Sequence, residues 1–232
     1  MSTQPLQPFG IKSQPVSFQA LPPLSLYIHI PWCVRKCPYC DFNSHEALAA
    51  IPEHEYVDAL LRDLDAALPL IWGRKVYSIF IGGGTPSLLS GEALSQLLSQ
   101  VRMRLPLAHE AEITLEANPG TVEAGRFAAF RDAGVSRLSL GVQSFNDTHL
   151  QALGRIHSGE EAKRAIDLAQ SHFGNINLDL MYALPSQSQA QALLDVRTAL
   201  TFSPQHLSCY HLTLEPSTLF AHNPPQLPDD DA

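Results

Sequence analysis

Short apolar runs and helical patterns take turns along this chain, and that alternation limits its fold more than any other feature. The first run, LSLYIHI (residues 24–30), leads to a helical pattern over about residues 53–68. VYSIFI leads to GEALSQLLSQVRMRL, EITLEAN to VEAGRFAAFRDAG, and VSRLSLGV to two short helical stretches at about 146–153 and 159–171. INLDLMYAL leads to QAQALLDVRTALTF, and HLSCYHLTL closes the series as the sixth strand candidate. Strict βα alternation calls for an α/β fold with a parallel sheet and right-handed crossovers. The sheet can stay open and doubly wound or curl into a partial (β/α)6 barrel, which is about two units short of a closed eightfold barrel. In both forms functional groups gather in the loops beyond the C-terminal ends of the strands.

The unusual residues fall at those ends. Cys33, Cys37 and Cys40 follow the first strand in a C-x3-C-x2-C pattern, and GGGTP follows the second. Glu116 ends the third strand, Gln143 ends the fourth and Asp179 lies within the fifth. Placed on one rim, they point to a single site. The alternating region spans 24–215, and the chain's 45% hydrophobic content suffices for a sizeable core. Residues 1–23, rich in Gln, Pro and Ser, are expected to be a flexible tail. Residues 216–232 are acidic and Pro-rich, show no element-like periodicity and are expected to begin a C-terminal region that is truncated here.

Charge and cysteine usage narrow the function classes. Fifteen basic against twenty-three acidic residues leave a net charge of −8, and no basic run offers a track for phosphates. Nucleic acid is therefore not an expected partner. No apolar stretch reaches the ~18 residues of a membrane span, and the N-terminus lacks the pattern of a signal peptide. Three crowded cysteines read as metal ligands or redox groups rather than a disulfide framework. The expected compartment is the cytoplasm.

Thiolates suit zinc, copper(I) and iron–sulfur clusters. Structural zinc wants four closed ligands, whereas three cysteines on one loop fit three corners of a cubane with the fourth iron open. A zinc site with His29 or His45, and unligated turn cysteines, stay open as alternatives. Cys209 in the last strand reads as a buried small hydrophobe. GGGTP lets backbone approach a ligand, or is only a tight βα turn. Tyr27 and His29 on the first strand read as core residues. Glu116 and Asp179 are carboxylates in apolar strands and need a partner or a ligand. Gln143 can both donate and accept. Arg155 offers a planar fork for a carboxylate, or is a solvated helix-end arginine.

The aromatic Tyr39 before the last cysteine completes a pattern that resembles the radical S-adenosylmethionine (SAM) superfamily. SLYIHIPWCVRKCPYCDFNSH, IFIGGGTPSLLS, EANPGTVE, LGVQSF, LGRIH and NLDLMYALP, in this order, resemble its branch of oxygen-independent coproporphyrinogen III dehydrogenases and HemW-type heme chaperones. The resemblance implies a 4Fe–4S cluster on Cys33, Cys37 and Cys40, with SAM chelated at the open iron. It also implies SAM contacts from Tyr27, Gly83, Gly84, Thr85, Glu116, Gln143, Arg155 and Asp179. The dehydrogenases carry a further cysteine two residues after the last cluster ligand, where this chain has Phe42. That departure favours a heme chaperone, with heme, an acceptor protein and an electron donor as partners, over a dehydrogenase or an enzyme for another substrate. A second departure is the absence of the HN-x-x-Y-W motif that the chaperones associate with heme, so heme binding is expected to need the missing C-terminal region.

Overall fold

The computed structural model describes residues 20–120 and 125–229. Most of the expected tail, the first residues of VEAGRFAAFRDAG and the last three residues of the chain lie outside the described residues.

Six strands form one fully parallel sheet in chain order: β1 (Leu24–Ile30), β4 (Val76–Gly83), β5 (Leu107–Ala117), β6 (Arg137–Gln143), β7 (Ile176–Tyr182) and β8 (His206–His211). Between β1 and β4 lie two two-residue strands, β2 (Trp32–Cys33) and β3 (His45–Glu46), which pair only with each other. The helices between the main strands are α1 (Glu53–Ile71), α2 (Gly91–Arg104), α3 (Phe127–Ala133), α4 (Asp147–Ala152), α5 (Gly159–His172) and α6 (Gln189–Thr201). Each strand pairs with its sequence neighbour, and β1 and β8 remain the two edges, so the barrel is partial and open.

Alternation along the strands separates two faces. Ile79, Ile81, Leu115, Leu138, Leu140 and Leu178 are fully buried on one of them. They pack with Leu94, Leu97 and Leu98 of α2, the α3 phenylalanines Phe127 and Phe130, and Ile166 of α5. This layer between sheet and helices is the core. The opposite face is polar. Asn177 donates to Ser139 at 2.9 Å and to Asp179 at 2.8 Å, and Ser208 donates to Asn177 at 3.0 Å. Such a network keeps polar side chains satisfied inside a partial barrel.

Three expectations change. Cys209 is exposed rather than buried; it lies on β8, an edge strand of the sheet among the described residues. Tyr27 is also exposed; it lies on the polar face, where a barrel that does not close leaves room for solvent. And the stretch after residue 215 is not featureless: α7 (Leu219–His222) is capped by Thr218, whose Oγ1 accepts from Ala221 N. Its four residues are too few for periodicity to reveal. No described helix is long and apolar enough to cross a membrane.

Candidate functional site

The cysteine loop leaves β1 through Pro31 and returns at His45. His45 N–H donates to Pro31 O at 2.7 Å, and Ala47 N–H donates to Cys33 O at 2.9 Å. Inside the loop, Cys40 N–H turns back to Cys37 O at 3.1 Å. Lys36 Nζ donates to the carbonyls of Phe42 and Ser44, each at 3.1 Å. The loop is thus held from within, and all three thiols are half-buried and free of disulfides.

Two neighbours hold it from outside. Gly84 N–H donates to Ile30 O and Thr85 N–H to Trp32 O, both at 2.7 Å, so the end of β4 carries the pairing on to the loop. Gly83 has φ +116°, and a Cβ there would come within 2.5 Å of the His29 ring. Gly83 is therefore required by close packing over His29, and Gly84 by the Trp32 carbonyl oxygen 2.6 Å from where its Cβ would stand, reasons the sequence did not show. His29 is the second holder. Its Nε2–H donates to Asn43 O at 2.8 Å, which leaves Nδ1 to accept the Tyr27 hydroxyl at 2.8 Å. Tyr27 itself stacks on Phe80, with centroids 6.3 Å apart.

Above this lies a cavity of about 390 Å³, within the usual range for small-molecule sites. Its walls include Cys33, Cys37, Cys40, Gly83, Gly84, Thr85, Glu116, Gln143, Arg155 and Asp179. Of the expected site residues only Tyr27 is missing from the lining; it acts instead through His29 on the loop. Asn118, Tyr39 and Ser139 line the cavity without having been expected from sequence. Asn118 could have been found, since it stands two residues after Glu116 on the same strand end.

The two carboxylates differ. Asp179 accepts hydrogen bonds from Ser139 at 2.9 Å and Asn177 at 2.8 Å. Burial raises its pKa and those bonds oppose the rise. Among the described residues, Glu116 receives only the Gly83 N–H, at 3.1 Å. Burial pushes its pKa up to about 7, with the nearby Asp179 carboxylate adding to the rise. Glu116 is thus an acceptor with capacity to spare. Gln143 sits in a left-handed backbone conformation, φ +65°, where the β6–β7 register shifts. Such a bulge re-aims a side chain, here into the cavity wall. His157, next to Arg155 in sequence, is buried and donates from Nε2 to Val142 O at 3.1 Å. Burial, with the Arg155 charge added, lowers its pKa to about 4 and keeps it neutral.

The donor set fits a polynuclear cluster. The thiols are soft ligands on one loop, and Cys40 and Cys37 lie close enough to Cys33 to add to the rise that burial gives its pKa. Among the described residues, no group of three or more His, Cys, Asp or Glu side chains is arranged to hold a metal ion.

The family model described as "Radical SAM superfamily" matches residues 27–197. Over 213 residues the chain is 61% identical to "Heme chaperone HemW" of Escherichia coli (strain K12), covering 91% of this chain and 56% of that protein. It is 57% identical over 217 residues to the Haemophilus influenzae protein of the same name, covering 91% and 57% respectively. The chain thus spans little more than half the length of these relatives. Among solved structures, coproporphyrinogen III oxidase (HemN) from Escherichia coli, described as a radical SAM enzyme, superposes with a TM-score of 0.80 at 30% identity. That match covers 90% of this chain and 49% of the other.

Proposed function

The chain belongs to the radical SAM superfamily, and from that premise we propose that it serves as a heme chaperone, binding heme and delivering it to an acceptor protein. The observation that carries this reading is the 61% identity to a heme chaperone across 91% of this chain. Phe42 agrees with it: two residues after Cys40, where the dehydrogenases carry a cysteine, it lines the cavity with an apolar ring. A second reading, coproporphyrinogen III dehydrogenase, is favoured by the superposition on HemN.

Superfamily membership implies a 4Fe–4S cluster and SAM. Cys33, Cys37 and Cys40 would hold the cluster, which when bound supplies a single electron to the sulfonium ligand. The residues of this chain bind and orient. Glu116 is suited to accept from the ammonium or a ribose hydroxyl of SAM, because one backbone amide leaves most of its lone pairs free. Gln143, aimed at the cavity by its bulge, serves the ribose. The backbone of Gly83, Gly84 and Thr85 borders the methionine end. Asp179 is already satisfied by Ser139 and Asn177, and supports the wall more than it reaches for ligand. Residues 24–215 would form this unit, with an electron donor for the cluster as a further partner.

The test is run anaerobically, on this chain and on a chimera carrying the remaining length of the Escherichia coli relative. Heme is titrated by its Soret absorbance, and coproporphyrinogen III is offered with SAM and a reductant. The expected result is heme binding without carbon dioxide release. Turnover to protoporphyrinogen by the chimera would establish the dehydrogenase reading instead.

A further inference from the structure

Arg155 stands at the end of α4, and the structure shows how firmly it is placed. Gly154 N–H donates to Gln151 O at 3.0 Å and Arg155 N–H to Leu150 O at 2.9 Å. This is a Schellman-type ending with Gly154 at φ +70°. A Cβ at Gly154 would come within 2.9 Å of Pro38 Cδ. The helix end and the cysteine loop are therefore in contact, through the proline that follows Cys37.

Three of the five guanidinium N–H groups have partners among the described residues. Nη2 donates to Asn118 Oδ1 at 2.5 Å and to Gly141 O at 2.8 Å. Nη1 lies 3.7 Å from Cys37 Sγ, within reach of an N–H···S bond. Nε is sealed from solvent without a partner. The fork needed to grip a carboxylate with two parallel bonds is thus already divided between two oxygens and a sulfur. The other two thiols have hydroxyl neighbours: Ser44 and Thr85 for Cys33, and Ser44 at 3.9 Å for Cys40. Among the described residues, Cys37 is the thiol that a guanidinium approaches within hydrogen-bond distance.

We infer that Arg155 is a positioning residue for Cys37 that holds its sulfur by an N–H···S bond and makes the cluster easier to reduce, and that it does not clamp the SAM carboxylate. The inference rests on the cluster reading above. Hydrogen bonds to the sulfurs and net charge are among the factors that set cluster potentials. Reduction adds negative charge, which a fixed neighbouring cation favours. Asn118 and Gly141 keep that cation from swinging toward the cavity.

The experiment is an EPR-monitored potentiometric titration of the anaerobically reconstituted chain without SAM, for the parent, Arg155→Lys and Arg155→Gln. SAM affinity is measured separately by equilibrium dialysis. The midpoint potential is expected to fall in that order, with iron and sulfide content retained. An unshifted potential in both variants, together with a tenfold or greater loss of SAM affinity, would overturn the inference in favour of a carboxylate clamp. If Arg155→Gln does not hold iron, Arg155→Lys decides: a lower potential supports the inference and the parental potential overturns it. Failure of the parent to assemble any cluster would sink the cluster reading, and this inference with it.

Discussion

The difference between Cys37 and Cys209 shows how much neighbourhood decides at the residue scale. Both are free thiols, yet Cys37 is half-buried on a rim shared with two other thiols and Cys209 stands exposed on an edge strand. Replacing Cys33, Cys37 or Cys40 by Ala is expected to abolish iron incorporation after anaerobic reconstitution, and Cys209→Ala to leave it intact. Iron and sulfide analysis checks both. Glu116 supports a second prediction. Its folded pKa of about 7 lies above the ordinary 4.5, so the folded state holds this proton more tightly. Its contribution is fully favourable below about pH 4.5 and is lost as pH rises through about 7, by about 3 kcal/mol at most. Glu116→Gln should remove that part of the pH dependence of urea unfolding. The same carboxylate must ionise to meet an ammonium, so SAM affinity should rise with pH through the same window in the parent and stay flat in the variant.

At the scale of elements, the site depends on how segments begin and end. α5 starts with a full capping box: Ser158 Oγ accepts from Glu161 N–H, and the Glu161 carboxylate accepts from Ser158 N–H at 2.8 Å. Ser158→Ala should cost about 1 kcal/mol of stability, read as a lower urea midpoint with an unchanged slope. The next capping box, Ser188 with Gln191, starts α6 in the same way. These signals are local in sequence, and the helices were legible from it to within a few residues. β5 was not: it begins at Leu107 rather than near 112, because its pairing with β4 shifts register between Val76 and Ser78. β2 and β3 were missed altogether, since a two-residue pair across a loop leaves no periodic trace.

For the molecule as a whole, charge acts at long range and sets which partners approach. A net charge of −8 without a basic run predicts no gain in affinity for polyanions as salt is lowered, the opposite of a phosphate-tracking protein. Anisotropy of a labelled oligonucleotide should therefore stay flat from high to low salt. A salt-dependent rise on adding protein would show a basic surface that composition hides.

The six strands, the parallel sheet and the gathering of Cys33, Cys37, Cys40, Gly83, Glu116 and Gln143 at one end could be read from sequence, while the order of the strands in the sheet came from the structure. Alternation and spacing are local, and a βα topology converts them into a common rim. What each residue does there was decided only by tertiary structure. Tyr27 turned out to steady His29, Gly83 to make room for the His29 ring, and Asp179 to be satisfied where Glu116 is not. Arg155 was turned toward Cys37, 118 positions away. Each of these outcomes depends on which side chains from distant strands compete for the same donor or acceptor. That competition begins only once the sheet has brought them within hydrogen-bond reach.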